Sequence, residues 1–202
     1  MADTGLTRIQ ARNREAILAA ALDIFAARGF RGATLDQIAQ AAGLSKPNLL
    51  YYFPSKEAIH AALLEGLLDM WLDPLRDLDP AGDPIAEMLR YVRRKLELSR
   101  DYPRESRLFA NEILQGAPRI RATLEGELAG LVARKAAVLT EWMAEGRIRA
   151  VHPVHLIFSV WALTQHYADF DVQVRAVLGP GHAPFAEAGE YLETLFRQLL
   201  AP

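Results

Sequence analysis

The chain has 202 residues, of which 51% are hydrophobic, 24% charged and 8% aromatic, a length for one or two domains and a composition able to bury a core. Intrinsic disorder and a fibrous fold are excluded for the chain as a whole, and the absence of cysteine excludes a disulfide framework, thiolate metal sites and cysteine nucleophiles. The net charge of −2 shows that the chain is not basic overall. Its distribution is uneven: residues 1–60 hold seven basic and five acidic side chains, a net of +2, and residues 61–202 hold the remaining sixteen and twenty, a net of −4. The N-terminal stretch MADTGLTRIQARNREA lacks the basic-then-apolar layout of a signal peptide. No apolar run approaches the roughly 18 residues of a membrane span. A soluble cytoplasmic protein without membrane association is expected.

Helical periodicity of 3.6 residues runs through most of the chain, and no convincing strand alternation is found. From about Arg8 to Arg28, Ile17, Leu18, Ala21, Leu22 and Phe25 form one stripe, and Gly29 supplies a C-terminal stop. Thr34 and Gln37 make a capping-box pattern for a second helix carrying Leu35, Ile38, Ala39 and Ala42, ended by Gly43. Ser45 caps a third, short helix with Pro47 in its first turn. Pro54 and Ser55 interrupt the chain before a fourth helix, predicted to end near Trp71–Leu72, ahead of Pro74. After a Pro-, Gly- and Asp-rich loop, helices are predicted at about 84–100, 104–115, 123–145, 153–177 and 184–200, separated by turn chemistry. The predicted fold class is all-α, with no fixed-period repeat.

The stretch from Thr34 to Ser45 satisfies the requirements of a helix–turn–helix unit. Ala39 is small enough for a close helix crossing, Gly43 makes the turn, and Leu44 plugs the core. The helix opened by Ser45 is predicted to bury Leu49 or Leu50 together with Phe53. It would expose Lys46, Asn48, Tyr51 and Tyr52, side chains suited to phosphates and base edges, on a helix slim enough for a major groove.

The segment TLDQIAQAAGLSKPNLLYYFPSKEAI resembles the DNA-binding signature of TetR-family transcriptional regulators, matching it at Thr34, Ile38, Ala39, Ala42, Gly43, Ser45, Leu49, Tyr52, Phe53, Ser55, Lys56 and Glu57. The resemblance implies a helix–turn–helix head over residues 8–56 and a ligand-binding and dimerisation body over 57–202. It implies phosphate contacts from Arg12 or Arg14, Tyr51, Tyr52 and Lys56, the last reinforced by its place at a helix N-terminus. Lys46 and Asn48 are the candidates for base edges, and Thr34, Ser45 and Pro47 belong to the same DNA-facing set. Leu50 stands where most members carry Tyr, and Pro47 where many carry a small residue, so base preference does not transfer.

A single head offers few contacts, so a palindromic operator bound by a homodimer is expected. Phe185, Ala188, Leu192, Leu195, Phe196 and Leu199, with Val160, Leu163, Tyr167, Phe170 and Val174, lie at the spacing of the family's four-helix dimer interface. The same stripes also suit an intramolecular core. The stretches NLLYYFPSKEA, KLELSRDYPRESRLF, NEILQGAP and HLIFSVWALTQHYADF are similar to pyrimidine-utilisation repressors within that family, which implies a uracil or thymine effector. The residue chemistry tolerates it. Trp161, Gln165 and Asp169 share a helix face. Trp71 ends the helix joining head to body, and Lys95 and Ser99, four apart, could reach a carbonyl from another helix. An indole stacks on a planar base, and Gln matches an amide edge with one donor and one acceptor.

His152 and His155 have ligand-like spacing but no flanking carboxylate, so no metal is expected. No nucleophile elbow, Walker loop or dinucleotide fingerprint is present, so neither a cofactor nor an enzyme is expected. Two alternatives to a pyrimidine-responsive regulator are a regulator with another effector and a small-molecule carrier that no longer binds DNA.

Overall fold

The computed structural model describes residues 7–202, so the first six residues of the stretch read for a leader lie outside the described residues. Among those described there are eleven helices and no strand. In chain order they are α1 (Arg8–Gly32), α2 (Leu35–Ala41), α3 (Lys46–Tyr52), α4 (Lys56–Arg76), α5 (Pro84–Asp101), α6 (Pro103–Leu114), a single turn α7 (Arg121–Thr123), α8 (Ala129–Ala144), α9 (Pro153–Asp169), α10 (Asp171–Leu178) and α11 (Pro184–Leu200).

The first four begin at side-chain caps. Thr7 and Thr34 both close complete capping boxes, with Gln10 and Gln37 respectively, and Ser45 and Ser55 accept the backbone N–H of Asn48 and Ala58; each cap satisfies a donor that would otherwise be orphaned. Gly29, at φ +68, kinks α1 so that its last turn, Phe30–Gly32, leaves the helix axis. Gly43, also at φ +68, ends α2 in a Schellman motif, its own N–H on the Gln40 carbonyl and that of Leu44 on the Ala39 carbonyl.

Two apolar cores result. The head core gathers Ile17, Ala21 and Phe25 of α1, Ile38 and Ala39 of α2, and Leu49 and Phe53 of the third helix segment around Ile59, Leu63, Leu64 and Leu67 of α4. The body core gathers Leu68, Trp142, Val160, Leu192 and Phe196 with the apolar faces of α5 and α8. Helix α4 serves both, its first half in the head and its second half, Leu68 to Leu75, in the body.

Three predicted boundaries are corrected. Helix α4 passes through Pro74 and ends at Arg76. There the Arg76 guanidinium donates to the Asp69 carbonyl and to the carboxylates of Asp69, Asp73 and Glu127, while Lys135 Nζ donates to the carbonyls of Arg76 and Leu78. These cations hold the terminal turn that the proline would otherwise weaken. The helix predicted at 123–145 begins with a π turn, Leu124–Leu128, and that predicted at 153–177 breaks at Phe170 into α9 and α10.

The apolar stripes of α9 and α11 divide in two. Ala188, Leu192, Phe196, Val160 and Val174 are buried in the chain's own core, whereas Phe170 and Leu199 remain exposed and Leu163, Tyr167, Phe185 and Leu195 are half-buried. Helix α3 resolves its alternative as well: Leu49 is 0% exposed and Leu50 38% exposed. Accordingly Leu49→Ala is expected to cost about 2–5 kcal/mol of stability in urea unfolding, and Leu50→Ala less than about 1 kcal/mol. The opposite ranking would mean that α3 packs on its other face.

Candidate functional site

Two regions carry the chemistry anticipated from the sequence. The first is the outer surface of α3 with the start of α1. Lys46, Pro47, Asn48 and Tyr51 are exposed, as is Arg12 one helix away, whereas Tyr52 and Arg14 are half-buried, the Arg14 guanidinium lying 5.2 Å from the Phe53 ring centre. Tyr51 and Tyr52 meet edge to face and reach back to α1, where Gln10 Nε2 donates to the Tyr51 hydroxyl at 3.1 Å and Asn13 Nδ2 to the Tyr52 hydroxyl at 3.0 Å. Lys46 pairs with Asp36 of α2 at 2.9 Å, an exposed contact of little strength that another anion can replace. Thr34 and Ser45 are exposed at the helix starts, their hydroxyls already accepting the capping bonds.

Lys56 requires correction. Its ammonium turns inward, donating to the carbonyls of Phe30 and Ala33, both at 2.8 Å, and lying 4.5 Å from the Phe30 ring centre. The side chain read as a phosphate ligand instead caps the kinked end of α1, because those two terminal carbonyls have no other donor within reach of the helix ladder.

The second region is a cavity in the body. An inner chamber of about 50 Å³ is lined by Leu68, Trp71, Leu72, Lys95, Phe109, Leu128, Trp161 and Gln165. It shares Phe109, Leu128, Trp161 and Gln165 with an outer cavity of about 640 Å³, which adds Arg107, Asn111, Leu114, Phe158, Asp169 and Phe170 among its walls. That volume falls within the range of small-molecule sites. Five of the six predicted effector residues therefore line these two adjoining cavities.

Their hydrogen bonds define what each can offer. Trp161 Nε1 donates to the buried Tyr91 hydroxyl at 2.6 Å, so this indole presents a π face and no free donor. Trp71, 3% exposed, has an indole N–H with no partner, an unusual cost for a buried polar group. Lys95 is 2% exposed; its ammonium lies 4.8 Å from the Trp71 ring centre and reaches only the Trp71 carbonyl, at 3.5 Å. Burial pushes the Lys95 ammonium down to about 7, against the pull of Asp169 in the other direction. Burial raises the Asp169 carboxyl, while Ser106, whose hydroxyl donates to it at 2.6 Å, and Arg107 counter that shift. Ser99 is the exception. It lines neither cavity and its hydroxyl turns back along its own helix to the Lys95 carbonyl at 3.1 Å, a bond a helical serine makes to residue i−4.

Several contributors were not foreseen. Tyr91 and Ser106 act by holding Trp161 and Asp169; Phe109 and Leu128 are walls supplied by α6 and the π turn. Their positions follow from three-dimensional packing; Ser106 stands between Glu105 and Arg107 in the chain, so no local signal marks it as buried. Helix α6 also turns a second face to the head. Gly116 and Ala117, at φ +87 and +53, reverse the chain after α6, and Arg119 then folds back to give Glu112 its backbone N–H at 2.9 Å and its guanidinium at 2.7 Å. The Arg119 guanidinium also lies 3.7 Å from the Phe30 ring centre. Beside this pair, burial holds His60 down to about 4, with Arg119 adding to the effect. Among the described residues no cluster of three His, Asp or Glu side chains is placed to hold a metal, and no helix is long and apolar enough to cross a membrane.

This architecture is shared with proteins of known class. Residues 17–63 match the family described as bacterial regulatory proteins, tetR family, and residues 64–202 the C-terminal region of YcdC-like proteins. The HTH-type transcriptional regulator RutR of Escherichia coli K12 is 50% identical over 173 residues, 86% of this chain and 82% of that protein. Among solved structures, AibR in complex with isovaleryl coenzyme A and operator DNA superposes with a TM-score of 0.70 at 19% identity, covering 94% of this chain and 99% of AibR. Salmonella enterica GusR superposes with a TM-score of 0.65 at 22% identity, covering 96% and 98%. With matches that run from residue 17 to the last residue, the chain belongs to the TetR family of transcriptional regulators, DNA-binding proteins rather than enzymes.

Proposed function

We propose that the protein is a homodimeric repressor whose heads, residues 8–56, occupy two half-sites of a palindromic operator, and whose bodies, residues 57–202, take up a pyrimidine base such as uracil or thymine. The observation that carries the effector reading is the unpartnered indole N–H of Trp71 in the wall of the inner chamber, beside a buried Lys95 ammonium whose one hydrogen bond, to the Trp71 carbonyl, is long at 3.5 Å. Carbonyl oxygens of a planar base would complete both. Gln165 would pair with an amide edge, the free oxygen of Asp169 would accept a ring N–H, and Trp161 would stack. A ligand without these acceptors leaves the donors stranded at a cost of about 1–3 kcal/mol each.

On DNA, Arg12, Arg14, Tyr51 and Tyr52 would hold phosphates, while Lys46, once free of Asp36, and Asn48 would address base edges in the major groove. Dimerisation would use the apolar surface that α9 and α11 keep accessible at the edge of the core, the half-buried Leu163, Tyr167 and Leu195 and the exposed Leu199. Release would follow from α4. A base seated against Trp71 moves the helix whose other half is built into the head, the separation of the two heads changes, and both half-sites can no longer be engaged together. Its effect is limited to the difference in affinity between the two forms; a coupling of about 1–3 kcal/mol gives roughly 5–150-fold induction. AibR, of the same fold, has been captured in complex with isovaleryl coenzyme A and operator DNA.

Duplexes selected from a random pool by the dimer are expected to be palindromic and to be released by uracil or thymine in gel-shift titrations. Binding indifferent to both at millimolar concentration would remove the pyrimidine and leave the regulator. A carrier would select no duplex.

The pH dependence has a definite sign. A carbonyl accepting from the Lys95 ammonium favours the charged form, so binding takes up a proton wherever the free protein has lost it. Calorimetric affinity for uracil is expected to be highest below about pH 7, where Lys95 is charged before binding, and to fall by up to about tenfold between pH 7 and 8. Lys95→Met should weaken binding by about tenfold or more and flatten the profile. Tyr91→Phe removes the acceptor of the Trp161 indole; it is expected to cost about 1–3 kcal/mol in urea unfolding and to weaken uracil binding in parallel.

A further inference from the structure

The first two turns of α1 hold the phenols of α3 in one hydrogen-bonding sense. In the capping box, Gln10 Oε1 accepts the backbone N–H of Thr7 at 2.8 Å. With its oxygen committed there, the same amide turns its Nε2 outward to donate to the Tyr51 hydroxyl oxygen at 3.1 Å. Asn13, one turn further along the same face, donates from Nδ2 to the Tyr52 hydroxyl at 3.0 Å. A phenol whose oxygen accepts from the protein has its own O–H proton free to donate elsewhere. Tyr51 is 70% exposed, so its proton faces solvent on the surface formed by α3 and the start of α1.

We infer that Gln10 and Asn13 are positioning residues for DNA binding: they fill the acceptor side of the two phenol oxygens and so keep both O–H protons available to phosphate oxygens. This rests on the DNA-binding reading of α3. The device also ties the N-terminal cap of α1 to the recognition helix, because the bond that starts the first helix sets the direction of the Gln10 amide. A phenol in the opposite sense, donating to a protein carboxylate, would have only lone pairs to turn toward a phosphate, and the contact would become repulsive.

Gln10→Glu tests this without dismantling the cap, since glutamate closes the same box. One carboxylate oxygen keeps the Thr7 N–H, while the other accepts the Tyr51 proton and reverses the sense. The added negative charge repels DNA in any background, so the informative quantity is the coupling with Tyr51→Phe. Binding of the full-length dimer to a random-sequence 30-base-pair duplex at low salt, read by fluorescence anisotropy, reports phosphate contacts independently of operator sequence. Gln10→Glu is expected to weaken binding about tenfold more in the Tyr51 background than in the Tyr51→Phe background, the loss of one charge-assisted bond, with unfolding midpoints unchanged. Asn13→Asp with Tyr52→Phe should behave alike. Effects that simply multiply in both cycles, with the charge penalty equal in either background, would overturn the inference while leaving DNA binding in place. A wild-type dimer without salt-dependent affinity for the duplex would overturn the inference and the DNA-binding reading together.

Discussion

The organisation of the molecule depends on one constraint: α4 is a single rod with its two halves buried in different cores. Ile59, Leu63, Leu64 and Leu67 are fixed in the head, and Leu68, Leu72 and Leu75 in the body. A close-packed core admits few arrangements of a helix and resists continuous deformation. The distance from Lys56 to Trp71 is about 22 Å at the helical rise, and Pro74 lies beyond Trp71, so the stretch between the cavity and the base of the head is helical throughout, with Gly66 its one glycine. Lys56, at that base, donates to the last carbonyls of α1, so the rod carries α1 with it.

Helix α6 gives a second connection with different mechanics. Phe109 and Leu114 wall the cavity, while Leu108 and Glu112 face the head. Glu112 is held by two donors from Arg119, and the neighbouring His60, held far below its ordinary value by burial, is neutral at physiological pH. The carboxylate is thus balanced by one guanidinium, and their geometry depends on a reversal in which Ala117 adopts a left-handed conformation that non-glycine residues seldom take.

Much of this was legible in the chain. Caps at Thr34, Ser45 and Ser55, the turn glycine at Gly43 and the 3.6-residue stripes are local signals, and local structure follows them. Trp71, Lys95, Trp161, Gln165 and Asp169 were singled out once the family resemblance implied a planar effector, from shared helix faces and side-chain chemistry, and the fold sets them around adjoining pockets. Two of the misplacements, at Pro74 and Lys56, depended on partners remote in sequence, while that at Ser99 is local. Pro74 does not end α4 because Arg76 and Lys135 secure the turn after it. Lys56 does not face outward because Gly29 bends the carbonyls of Phe30 and Ala33 toward it. Ser99 lies on the right helix with Lys95, yet its hydroxyl finds a backbone oxygen one turn back before it could reach either cavity. The stripes of α9 and α11 held too many apolar residues for a single surface, and periodicity alone does not assign them to an inner or an outer face.

The ring of Phe30 is held between two cations, the Lys56 ammonium from the base of α4 and the Arg119 guanidinium from the loop after α6. An aromatic face attracts positive charge over a broad area with little demand on direction, whereas the bonds from Arg119 to Glu112 are short and oriented. Those bonds lie within α6 and its following loop, so what this loop offers the head is the Arg119 guanidinium on the Phe30 ring, a contact that tolerates lateral displacement better than a directed hydrogen bond would.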